Sequence, residues 1–184
     1  MQAYNAGERD FGESRVQELL PKYAAMPKDI RWHFIGHLQT NKVRMLLPCV
    51  YMIHSVDSMR LLETINCEAE RIQRKVKVLL EVHVAQEESK SGFTIEELQA
   101  LHAQLSQFNH IEVCGIMGMA TNTEDEEEIR RCFRAIRSAG ELIATYCTHP
   151  MIVSMGMSDD YLMAIEEGSN MVRIGSSIFG ERQY

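Results

Sequence analysis

Apolar and β-branched runs recur along the chain at residues 10–14, 32–38, 51–56, 76–85, 112–120, 151–157 and 171–179, each of a length that suits a strand. Between them the apolar positions switch to i, i+3, i+4 spacing, most clearly over residues 58–74, 94–107 and 123–146, as in helices that bury one face. The order strand, helix, strand repeats throughout. It predicts a parallel sheet covered by helices, and the lack of a glycine-rich first turn of the dinucleotide-binding kind favours a barrel over an open sheet. Seven strands and 184 residues fall short of a complete barrel, which has eight strands and about 250 residues. The opening Gln2-Ala3-Tyr4-Asn5-Ala6-Gly7 reads as a helix stopped by glycine, so the chain is expected to begin within the helix that follows an absent first strand. The expected architecture is therefore one α/β domain over residues 1–184, a (β/α)8 TIM-type barrel lacking its first strand, with two sheet edges left for another segment or chain to cover.

Local signals sharpen two helix starts. Thr94 with Glu97, and Thr123 with Glu126, have the spacing of a capping box, in which a hydroxyl and a carboxylate each satisfy a free N–H. The acidic run 124–128 falls in a first helical turn, where the macrodipole favours negative charge, and Arg130, Arg131 and Arg134 follow it. It reads as a solvated face rather than a metal or partner site. A net charge of −7 with no Lys/Arg cluster excludes a nucleic-acid footprint. No apolar run reaches the about 20 residues of a membrane span, and the N-terminus has no basic or apolar leader segment, so a cytoplasmic protein is expected. Cys49, Cys67, Cys114, Cys132 and Cys147 are odd in number and show no C-x-x-C spacing, which predicts reduced thiols in the core.

Barrels of this kind carry their chemistry at the C-terminal ends of the strands and bind phosphate groups after the last two. The last two units of this chain are also its richest in small polar residues. Residues 154–168, SMGMSDDYLMAIEEG, place Ser158 at an expected helix N-cap, where free N–H groups suit an anion. In MVRIGSSIFGER (171–182), Gly175, Ser176 and Ser177 offer backbone N–H groups and hydroxyls at a turn. Either stretch alone could be an ordinary turn. Arg173 alternates with Val172 and Ile174, so it should face the barrel lumen or mouth, unless it is a buried arginine paired with a carboxylate. His33 and His37 would share one face of an extended strand, but no third ligand type lies near them and no metal is expected. The twelve methionines sit mostly in apolar runs and read as core fillers.

Taken together, FGESRVQE (11–18), WHFIGHLQTNK (32–42), SVDS (55–58), ESKSGF (88–93), GIMGMAT (115–121), SMGMSDD (154–160) and MVRIGSSIFGER closely resemble the pyridoxal phosphate homeostasis protein family, in order over essentially the whole chain. The resemblance implies the barrel of the alanine racemase N-terminal domain and pyridoxal 5′-phosphate as cofactor, with no established reaction and a role in keeping free cofactor low and delivering it to other proteins. It implies a phosphate held by Ser158, Gly175 and Ser176 with help from the Ser154 and Met157 backbone, and Arg173 facing the pyridine nitrogen. Ser14 stands where many members carry asparagine, so a shorter hydroxyl replaces a side-chain amide near the ring. The family's Schiff-base lysine lies on the first strand in a V-S-K-type motif. None of Lys22, Lys28, Lys42, Lys75, Lys77 and Lys90 is its counterpart, so binding in this chain is expected to be noncovalent at most.

A carrier and an enzyme both remain open on these grounds. Pyridoxal phosphate acts as an electron sink best when a carboxylate keeps its ring nitrogen protonated, whereas a guanidinium can only donate and leaves that nitrogen unprotonated. Racemases with such an arginine add a second domain and a tyrosine from it, and only five residues follow Phe179 here. A cofactor-binding protein that serves the apo forms of pyridoxal-phosphate enzymes is favoured. The alternatives are a racemase-like enzyme reduced to its barrel, or an inactive fragment. Lys90, between Ser89 and Ser91, is either an ordinary surface lysine or a transit point for cofactor entering and leaving.

Overall fold

The computed structural model of the protein describes residues 1–84, 91–147 and 150–180. Seven strands form one parallel sheet in chain order: β1 Asp10–Glu13, β2 Arg31–Phe34, β3 Met52–Val56, β4 Val76–Glu81, β5 Ile111–Met117, β6 Ile152–Met157 and β7 Met171–Arg173. Helix α1 (Gln2–Asn5) precedes β1, and α2 (Val16–Ala25), α3 (Val43–Leu46), α4 (Met59–Arg71), α5 (Ile95–His102), α6 (Glu126–Glu141), α7 (Tyr161–Glu166) and α8 (Ser176–Phe179) follow successive strands. Curvature of the sheet is shown by one contact. His54 on β3 lies 3.2 Å from Ser154 on β6, whereas three strand spacings in a flat sheet would hold them about 14 Å apart. The strands therefore wrap into a nearly closed barrel, with β1 and β7 as its edges.

Strand alternation sorts the residues into two environments. Trp32 and Phe34 of β2, with Val76, Val78 and Leu80 of β4, point outward into one large core with Leu61, Leu62 and Ile65 of α4 and Phe133 and Ile136 of α6. Their neighbours point inward, where Met52, Leu79, Cys114 and Met117 form a second, much smaller apolar cluster. The rest of the buried polar set is mostly inward too, and His33, His54, Glu81 and Ser154 are at most 5% exposed. The outer layer holds the barrel together by apolar burial, and the lumen is left free for polar groups.

Several expected boundaries shift, in one direction. The strands expected to run to Ser14, Leu38, Ala120 and Phe179 stop earlier, at Glu13, Phe34, Met117 and Arg173. Leu38 and Ala120 are buried but lie in loops, so their apolar character reflects packing beneath the helices and not pairing in the sheet. Residues 176–179, expected as strand, form α8. The thiols also divide: Cys114 and Cys132 are buried, Cys49 and Cys147 are half-buried, and Cys67 is exposed, contrary to the expectation of five core thiols.

The Thr94–Glu97 capping box is present in full. The one expected at Thr123 is not. Asp125 is the N-cap of α6 and accepts from the Glu127 and Glu128 N–H groups, while the Thr123 hydroxyl accepts from the Asp125 N–H. A carboxylate next to the helix wins because it can serve two donors at the positive end of the dipole. The remaining acidic side chains form a surface lattice, Glu127 with Arg134 and Glu128 with Arg131, and Arg130 bridges to Glu166 and Glu167. Asp125→Ala should cost about 1 kcal/mol of stability in chemical denaturation. Thr123→Ala should cost less than half of that; equal losses would mean that the two residues cap α6 jointly.

Candidate functional site

The loops after β6 and β7 meet at the C-terminal end of the barrel. At Gly156 the backbone takes φ +94, and a Cβ there would lie 2.5 Å from the Ala164 Cβ, so glycine is what lets α7 rest on the end of β6. Asp160 is the N-cap residue of α7, and its carboxylate accepts the Met157 N–H at 2.6 Å. Ser158 is therefore not the cap of that helix, as the sequence suggests. Its Oγ instead accepts the Gly175 N–H at 3.2 Å and the Ser177 N–H at 3.4 Å, tying the β6 turn to the start of α8. A Cβ on Gly175 would meet nothing within 4 Å, so the space over this turn is open. Gly175 and Ser176 are exposed, whereas Ser154 is wholly buried and faces Arg173.

Arg173 ends β7 with its guanidinium in the lumen. One terminal nitrogen donates to the Ser154 carbonyl at 2.8 Å and to the Ser154 Oγ at 2.9 Å, and the other donates to the Gly118 carbonyl at 3.1 Å. Among the described residues no carboxylate pairs with it directly. Burial pushes its pKa down to about 10, opposed through space by Glu81 and Asp160, so it remains a cation at neutral pH. Among the described residues three of its five N–H donors find acceptors. Ser14 lies half-buried just after β1, on the other edge strand. A Cβ on Gly36 would sit 2.2 Å from the Ser14 carbonyl oxygen, so the loop after β2 fixes the Ser14 backbone by close approach.

Two lumen residues, His54 and Glu81, are not marked by the sequence. His54 Nδ1 meets the Ser154 Oγ at 3.2 Å, and His54 Nε2 meets His33 Nδ1 at 2.8 Å. Glu81 is 4% exposed with the Ser91 hydroxyl donating to it at 3.3 Å, and burial, reinforced by Asp57, raises its pKa to about 7. His33 and His37 do not share a face as expected. The strand ends at Phe34, so alternation does not carry to His37, which is exposed and bonded to Asp57 at 3.1 Å. Lys90 and Ser89 lie outside the described residues, as do Glu181 and Arg182 at the end of the last motif.

A curated pyridoxal phosphate homeostasis protein of Aquifex aeolicus is 43% identical over 183 residues, 98% of this chain and 80% of that one. The chain belongs to this family. The profile of the alanine racemase N-terminal domain matches residues 1–183. The solved structure of the family member PipY from Synechococcus elongatus, with PLP bound, superposes with a TM-score of 0.88 at 35% identity, covering 97% of this chain and 85% of that one. Alanine racemase from Corynebacterium glutamicum shares the fold alone, with a TM-score of 0.74 at 17% identity over 97% of this chain and 49% of its own. In this pyridoxal phosphate homeostasis family member no described helix is long and apolar enough to cross a membrane.

Glu81 yields a pH test. Between about pH 4.5 and pH 7 the folded protein keeps a proton that the unfolded chain has released, so stability falls as pH rises through that window and the full cost is present above it. Glu81→Gln removes the cost. The variant should be more stable than the parent by up to roughly 3 kcal/mol at pH 8 and nearly equal to it at pH 5 in paired urea titrations. A gain of the same size at both pH values would show that packing, not ionisation, is responsible.

Proposed function

We propose that this chain binds pyridoxal 5′-phosphate at the end of the barrel formed by β6 and β7, and holds it for delivery to the apo forms of enzymes that use it, without turning over a substrate. What carries the reading is Arg173, a lumen cation held by Ser154 and Gly118 two residues before an open glycine-serine turn. Two residues of chain span at most about 7 Å, which is the scale of a pyridine ring and its phosphate arm. The anion end would be held by Ser158, Gly175 and Ser176, where Ser158 already gathers two backbone N–H groups. The Met157 and Ser154 backbone would aid the phosphate contact, and Ser14, half-buried just after β1, would lie near the ring.

Bound pyridoxal phosphate supplies an aldehyde on an electron-withdrawing ring whose pull depends on the protonation of its nitrogen. Arg173 can donate to that nitrogen and cannot protonate it as an acid would at neutral pH, which suits retention better than carbanion chemistry. Names and structures of relatives support the same assignment: the curated relatives are named for pyridoxal phosphate homeostasis, and PipY has been solved with PLP bound. The absence of a membrane-spanning helix among the described residues accords with a cytoplasmic setting.

Titration of the purified protein with pyridoxal phosphate should give a saturable absorbance change that inorganic phosphate suppresses. Loss of a charge-assisted donor costs about 1.5–3 kcal/mol, so Arg173→Ala should weaken binding roughly tenfold to a hundredfold. Either alanine enantiomer should remain unchanged during prolonged incubation with the loaded protein. Interconversion of the enantiomers would replace the carrier reading with a racemase-like one, and an unchanged affinity in Arg173→Ala would remove Arg173 from the site.

A further inference from the structure

An unbroken series of hydrogen bonds leads from Arg173 through the lumen to the opposite end of the strands. It runs from the guanidinium to the Ser154 Oγ at 2.9 Å, on to His54 Nδ1 at 3.2 Å, from His54 Nε2 to His33 Nδ1 at 2.8 Å, and from His33 Nε2 to the Asp10 carboxylate at 3.1 Å. Asp10 opens β1 and Arg31 opens β2, where the two form a bidentate pair. The interior members are sealed, with Ser154 at 0%, His54 at 2% and His33 at 5% exposure. Of the two ends, Asp10 is exposed and Arg173 is half-buried.

The two ends fix every proton between them. A guanidinium has no acceptor, so the Ser154 oxygen accepts from Arg173, and its own proton is then available for His54 Nδ1. With Nδ1 accepting, the proton of neutral His54 is on Nε2 and is donated to His33 Nδ1. His33 in turn carries its proton on Nε2 and gives it to Asp10, a carboxylate that can only accept. The reverse order fails. His54 Nδ1–H donating to Ser154 would make His33 Nδ1 a donor, and His33 would then need a second proton to face Asp10. Both imidazoles are thus neutral Nε2–H forms. Burial supports this, since it holds the pKa of His33 below the usual histidine value, and that of His54 well below it. The charged and titratable groups facing the pair are Asp10, Arg31 and Glu8 near β1 and β2, the Tyr51 ring 5.4 Å from that of His33, and Arg173 of β7.

We propose that His54 and His33 are positioning residues for Arg173: through Ser154 they fix where the guanidinium points, and Asp10 at the far end of the strands sets the direction of the whole chain. This rests on the reading of Arg173 as the ring partner only for its effect on cofactor affinity. The network itself is a property of the protein. Loss of the terminal acceptor leaves His33 free to change tautomer, and the bonds up to the Ser154 hydroxyl can then reverse while the Arg173 donation stays as it is, so a change at the surface reorients the oxygen that Arg173 meets. A chain that is fully satisfied has one arrangement, whereas one missing an end has two.

The test uses the protein labelled with 15N, with and without pyridoxal phosphate. Long-range imidazole spectra should show His54 and His33 as neutral Nε2–H tautomers at pH 7. Asp10→Ala should shift the Arg173 Nε–H signal, mix the His54 tautomers, and weaken cofactor binding roughly threefold to thirtyfold, the range of measured network couplings. Asp10→Asn keeps an accepting oxygen and should restore parental behaviour. Arg31→Ala breaks only the exposed ion pair and should leave the Arg173 signal in place, which separates the chain from simple stability at that end. Unchanged Arg173 and His54 signals in Asp10→Ala would overturn the proposal, as would an Nδ1–H tautomer at either histidine; shifted signals with parental cofactor affinity would uphold the network and remove Arg173 from the cofactor ring. If the parent protein took up no cofactor at all, the functional reading would fail, and the ligand-free spectra would still decide the positioning role.

Discussion

A guanidinium inside a barrel is the constraint from which the rest of the site follows. Removing such a charge from water costs several kcal/mol unless oxygen acceptors surround it, and Arg173 finds them in the Ser154 carbonyl and hydroxyl and the Gly118 carbonyl. Each acceptor has its own structural requirement. Gly118 can turn its carbonyl inward because it has no side chain; a Cβ there would collide with Ile136 at 2.6 Å. Ser154 must be both an acceptor for Arg173 and a partner for His54, a double role that a hydroxyl can fill and a methyl cannot. The lumen polarity therefore begins at Arg173 and spreads inward.

Burial of so many polar groups is affordable because cohesion comes from elsewhere. The apolar contacts that hold the fold lie outside the barrel wall, between strands and helices, where one continuous cluster extends from Val16 to Ala164. Inside, the buried apolar cluster among the described residues has only four members, Met52, Leu79, Cys114 and Met117. Histidines kept neutral and a glutamate with its pKa raised to about 7 pull stability in opposite directions with pH. The depressed histidines favour the fold above their unfolded pKa and lose that contribution as pH falls, whereas Glu81 penalises it as pH rises, so the lumen is best tolerated over a limited range around neutrality.

What the sequence shows and hides follows from the same division. All seven strands and the segments that form α4, α5 and α6 are visible, because their outward faces obey simple periods: Val76, Val78 and Leu80 on β4, and Ile129, Cys132, Phe133 and Ile136 on α6. Boundaries at the C-terminal ends of strands are misread, because loop residues such as Leu38 are as apolar as strand residues and pack in the same core. The two glycine-serine turns and Arg173 are legible from residue type and position as neighbours at the C-terminal end of the last two strands, where the structure brings them together. Ser158 was placed on the wrong helix, since spacing along the chain marks it as a cap but cannot show that its nearest N–H donors belong to the next β/α unit.

His54 and Glu81 were overlooked for a different reason. Each is a single polar residue in an otherwise apolar strand, MIHSV and VKVLLE, and nothing local separates a lumen group from a stray one. Alternation did contain the signal: His54 shares a face with Met52, and Glu81 shares one with Leu79, which are both lumen residues. A polar residue in phase with lumen positions and out of phase with helix-facing ones is committed to the interior, and must find a partner there. By this reasoning His33, between the outward-facing Trp32 and Phe34, had to meet another inward polar group. The nearest strand in the parallel order offers His54, so the histidine pair follows from topology once the barrel is accepted, and the tautomers follow from Asp10 and Arg173 at its two ends.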